Sequence, residues 1–131
     1  MTDHIPTDIY RQCVAIAKSY YTMLRRRREQ EEIILHGSPM HDGQPKAQGV
    51  GDPTARKAER LIAAKECNDL KIRAVEQAWR RMVDETAREF VEKNLFEGVR
   101  MQYIDLPMSI PTMKRLRSKF IRLVAEELHE I

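Results

Sequence analysis

Residues 109–130 read SIPTMKRLRSKFIRLVAEELHE, and this stretch decides the fold class. Met113, Leu116, Phe120, Val124 and Leu128 recur at steps of three and four, the spacing of one helical face. Ser109 suits the N-cap, and Pro111 suits the first turn, where its missing N–H costs no hydrogen bond. With Met113 at 0° and about 100° per residue, Ser118, Arg122 and Arg115 fall near roughly 140°, 180° and 200°. Lys114 and Lys119 flank them at about 100° and 240°. Between Thr112 and Ala125 there are five basic residues and no acidic one, whereas Glu126, Glu127 and Glu130 follow at once. One face is therefore apolar, the other basic, and the basic charge ends abruptly.

Upstream of this helix, Ala87, Phe90, Val91, Asn94 and Leu95 form a further helical stretch, which Gly98 ends as a left-handed cap. A short helix is expected over about 100–106, with Pro107-Met108 as the turn. Two helices, a tight turn and a Ser-x-x-Thr start together follow the sequence logic of a helix-turn-helix, placed over residues 84–131. Phosphate oxygens need cationic donors, and a recognition helix sets its first turns beside base edges in the major groove.

Further upstream, four of the five glycines and three of the six prolines fall in GSPMHDGQPKAQGVGDP, residues 37–53, which reads as a long flexible loop. Before it, Thr7 or Asp8 can cap a helix carrying Ile9, Cys13, Ile16, Ala17, Tyr20 and Leu24, and one long helix is expected over 8–36. Its Arg25/Glu29, Arg27/Glu31 and Arg28/Glu32 pairs are spaced i,i+4. After the loop, Asp52-Pro53-Thr54 starts a second long helix over 54–83 with Ala58, Leu61, Ile62, Lys65, Ile72, Val75, Trp79, Met82 and Val83 on its pattern. At 1.5 Å per residue the first helix would run roughly 43 Å. Such lengths suggest an antiparallel hairpin or dimerisation stalk and a homodimer. No alternating β pattern occurs, so the expected fold is all-α: a long helical hairpin plus a C-terminal helix-turn-helix.

The 131 residues leave no room for a second sizeable core. Charged residues reach 33% while the net charge is only +3, so any electrostatic function depends on local segregation. Cys13 and Cys67 stand far apart and read as reduced thiols of a cytosol, with no disulfide framework. No run of 18 apolar residues, signal-peptide pattern, nucleophile elbow, phosphate-binding loop or paired-carboxylate constellation occurs. His36 and His41 have no further ligand at zinc spacing. A non-enzyme without cofactor or metal is expected. The Arg25–Arg28 run, neutralised by Glu29, Glu31 and Glu32, reads as a solvated helix face, and Trp79 as a core residue.

The segment LFEGVRMQYIDLPMSIPTMKRLRSKFIRLVAEELHE resembles the C-terminal end of small phage transcriptional activators of the RinA and ArpU type. SPMHDGQPKAQGVGDPTARKAERL resembles the Gly/Pro-rich stretch found upstream in related phage regulators. The resemblance implies a helix-turn-helix akin to the promoter-reading region 4 of sigma factors. It further implies double-stranded DNA as partner, host RNA polymerase as a second partner, and activation of late phage genes. On that pattern Ser109, Thr112, Lys114, Arg115, Ser118, Lys119 and, on the same face, Arg122 would touch DNA. Two departures stand out: Pro107 replaces a glycine often found at the turn, and Tyr103 stands where a small residue packs between the helices. Two other classes fit the same helices, a DNA-packaging subunit of small-terminase type and a protein-binding helical adaptor.

Overall fold

The computed structural model describes residues 4–36 and 53–131. The expected 37–53 loop lies, but for Pro53, outside the described residues, as does His41. The fold is all-α: α1 (Thr7–Lys18), α2 (Tyr20–His36), α3 (Pro53–Arg81), α4 (Glu85–Val91) and α5 (Ile110–Glu127). A π turn, Glu92–Phe96, extends α4, and a 3₁₀ turn, Met101–Tyr103, interrupts the connection to α5. Among the described residues there is no strand.

The single long helix expected over 8–36 is broken at Ser19. Its hydroxyl donates to the Ala15 carbonyl at 2.8 Å, and its N–H reaches the Ala15 and Ile16 carbonyls, both at 3.1 Å. A serine hydroxyl bonded to the i−4 carbonyl competes with the helix ladder and bends it. The bend has a large consequence. It lays α1 against α5 and the π turn, whereas α2 runs antiparallel to α3. Neither Thr7 nor Asp8 caps α1; the N-cap position is Pro6, whose carbonyl accepts the Tyr10 N–H at 3.0 Å.

Three contacts mark the α2–α3 register. Tyr20 Oη donates to Glu76 Oε2 at 2.7 Å, Asn68 Nδ2 to the Met23 carbonyl at 2.9 Å, and Lys65 Nζ pairs with Glu31 at 3.6 Å. Of the expected i,i+4 pairs, Arg25–Glu29 forms at 4.0 Å. Glu31 turns to Lys65 instead, and Glu32 lies 3.8 Å from His36. α3 stops at Arg81, short of the expected 83; Ile72, Val75 and Ala78 on it and Met82 just beyond are enclosed, while Ile62 and Val83 stay exposed. Trp79 is partly buried, and its Nε1 donates to the Arg88 carbonyl at 3.1 Å.

The core is not divided near residue 84. Cys13, Ile16 and Ala17 of α1 join Phe90 and Val91 of α4 and Phe120 and Val124 of α5 in one cluster. Residues 84–131 therefore share their hydrophobic interior with the N-terminal half. Ile121, Leu123 and Ala125 are also buried, because α1 and α3 both pack on the second half of α5. The short helix expected over 100–106 shrinks to the one 3₁₀ turn. Ile104 is already extended (φ −90°, ψ 121°), and Pro107 disfavours helix at Leu106. Tyr103 is 70% exposed, so it does not wedge between helices.

Gly98 adopts φ +76° and ends the π turn as expected. His129 takes the same left-handed region with φ +60°. Its N–H bonds the Glu126 carbonyl at 3.0 Å and the Glu130 N–H bonds Ala125 at 2.9 Å, a Schellman closure that usually employs glycine. His129→Gly is expected to raise unfolding stability by about 1 kcal/mol, read in urea from the emission of Trp79. The two thiols should also differ: burial, then the charge of Glu130, push the Cys13 thiol up, while Cys67 is exposed. In native protein at pH 8 a thiol reagent is expected to titrate Cys67 quickly and Cys13 only after unfolding.

Candidate nucleic-acid interface

The start of α5 is built by its own first turn. Ser109 has extended dihedrals (φ −83°, ψ 163°), and its Oγ accepts the Thr112 N–H at 3.3 Å. The Ser109 hydroxyl also donates to Thr112 Oγ1 at 3.0 Å, and Arg115 Nη2 donates to the same oxygen at 3.2 Å. Ser109 and Thr112 thus close the helix end and steady Arg115. They do not line the groove that their basic neighbours form.

That groove is open, has a volume of about 740 Å³, and runs along the outer side of α5. Lys114, Arg115, Ser118, Lys119 and Arg122 form one wall; His4, Ile5 and Tyr10 form the other. Five of the seven residues expected at a DNA contact are therefore brought together. No sequence spacing relates His4, Ile5 and Tyr10 to α5, because only the fold of α1 onto α5 brings them there. Arg122 is the least available of the five, with its Nε 3.6 Å from Glu126 and its side chain 38% exposed.

At its C-terminal end α5 carries the acids Glu126 and Glu127, where the helix dipole favours bases. At the C-terminal end the mismatch is offset inside the protein: Arg81 of α3 reaches Glu126 at 2.8 Å and Glu127 at 3.1 Å. The first turn of α5, residues 110–113, carries no charged side chain, and its bases begin at Lys114. Among the described residues none of those lining the groove is acidic. Lys114, Arg115 and Lys119 thus present positive charge to solvent from a shallow concavity beside a helix start, an arrangement suited to oxyanions. From Lys114 to Arg122 the wall spans about 12 Å at 1.5 Å per residue, comparable to the ≈12 Å width of the B-DNA major groove.

Among the described residues, no group of three or more His, Cys, Asp and Glu side chains is placed to hold a metal ion. No helix of the described residues is long and apolar enough to cross a membrane. Comparisons with family models, with curated proteins and with solved structures return no match. Ser109→Ala is expected to lower stability by about 1 kcal/mol, the usual cost of a lost N-cap, measured by urea unfolding. A loss beyond about 2 kcal/mol would mean that the hydroxyl does more than cap.

Proposed function

We propose that the chain is a transcriptional regulator of phage or prophage origin that binds promoter DNA with the outer face of α5. The observation that carries this reading is the basic groove, lined by no acid among the described residues, on a helix whose C-terminal acids pair with Arg81. Lys114, Arg115 and Lys119 share one exposed face of α5, where the packing of the core does not call for them. The likeness of residues 95–130 to RinA- and ArpU-type activators supports the same reading and supplies its biological sense, activation of late genes in concert with host RNA polymerase. In this reading α4 and its π turn support α5 across the longer connection of residues 97–109, with α5 as the reading helix.

A homodimer is part of the proposal, since operators commonly match two half-sites. Ile34, Leu35 and Ile62, exposed at the far ends of α2 and α3, are the apolar residues such a contact would use. The charge reversal Arg115→Glu/Lys119→Glu is expected to abolish binding to a labelled promoter duplex, measured by fluorescence anisotropy at about 50 mM salt. Helicity by circular dichroism should stay unchanged, because both side chains are exposed. Normal binding by this double variant would overturn the assignment. A dimer in sedimentation fits the regulator, whereas a closed ring of many copies would move the function to DNA packaging.

A further inference from the structure

A second open groove, of about 460 Å³, lies on the other flank of the α5 start. Its basic residues come from three separate segments: Lys18 at the end of α1, Arg100 after the Gly98 turn, and Lys114 and Arg117 of α5. Lys114 lines both grooves and so stands between them on the helix. Among the described residues no carboxylate lines either part.

The convergence is held in place by one buried side chain. Asn94 is 6% exposed and sits in the π turn, a distortion common at functional sites. Its Nδ2 donates to the Val99 carbonyl at 2.9 Å, and its Oδ1 accepts from Arg117 Nη1 at 3.0 Å. A single amide thus fixes both the backbone that carries Arg100 and the guanidinium of Arg117. Arg117 is aimed by a neutral amide, where a carboxylate would have cancelled its charge. Gathering cations around a neutral anchor is unfavourable for the isolated protein and favourable only once an anion arrives.

We propose that this second groove grips the phosphate backbone of the duplex whose bases α5 faces. Lys18, Arg100 and Arg117 are its phosphate contacts, and Asn94 is the positioning residue that presets Arg100 and Arg117. The proposal rests on the DNA reading of α5. It adds that α1, an element outside any helix-turn-helix, supplies part of the grip, and that these contacts contribute affinity without sequence preference.

The test is fluorescence anisotropy with a labelled mixed-sequence duplex, titrated from about 50 to 200 mM salt. The wild-type chain is compared with Lys18→Gln/Arg100→Gln and with Arg117→Gln. Each phosphate contact adds about 0.9 to the slope of log affinity against log salt. The double variant is therefore expected to lower the slope by about two and Arg117→Gln by about one. Asn94→Asp, which sets a carboxylate against Arg117 and removes the donor that holds the Val99 carbonyl, should lower the slope by at least as much as Arg117→Gln. Unchanged slopes in variants that still bind, with Arg115→Glu/Lys119→Glu still deficient, would overturn the second groove and leave the α5 reading standing. Absence of any salt-sensitive binding by the wild-type chain would overturn both.

Discussion

The burial of α5 is the constraint on which the rest of the structure depends. Its second half is enclosed on most sides, with Phe120, Ile121, Val124 and Ala125 fully withdrawn from solvent. Full burial of side chains of this size contributes about 1.5–3 kcal/mol each for the larger ones. Three helices are needed to provide that enclosure, and α1, α3 and α4 all pack on α5. The bend at Ser19 accompanies this packing, with α1 laid on α5 and α2 paired with α3. The first half of α5 escapes enclosure, and its apolar contact narrows to Met113 and half-buried Leu116. The same helix therefore serves as the centre of the core at one end and as an open surface at the other.

Electrostatics follows the same division. Where α5 is buried, its acids are taken up by Arg81 from α3, which joins the ends of two helices and tolerates the reversed dipole preference. Where α5 is open, Arg115 meets the Thr112 hydroxyl and Arg117 the Asn94 amide. A nearly neutral chain thereby acquires a strongly polarised surface. Local placement of charge, rather than the net charge of +3, gives this protein its proposed affinity for a polyanion.

The helices were largely legible because their signals are local. Ser109 as N-cap, Pro111 in the first turn and Gly98 as a left-handed stop depend on a few neighbouring residues, and each stands as read. The outward face of Lys114, Arg115, Ser118 and Lys119 was equally legible from a 100° step. What failed were features set by competition between local and distant partners. The Ser19 break has a local cause, yet the apolar spacing continues through it and hides it. Glu31 was assigned to Arg27 by spacing and is taken instead by Lys65 from another helix. The expected helix at 100–106 was shortened by an extended Ile104 and by Pro107, whose effect on the preceding residue outweighed a weak helical pattern.

By itself the sequence determined the all-α class, the two-faced character of the last helix and the side on which its charges stand, since periodicity and capping act over one or two turns. Only the tertiary structure decided what faces those charges. It placed His4, Ile5 and Tyr10 across the first groove, drew Lys18 and Arg100 to the second, and aimed Arg117 through Asn94. These residues lie up to about a hundred positions apart. No spacing rule reaches that far, and the juxtaposition exists because one hydrophobic core, centred on α5, had to be closed by the N-terminal helix.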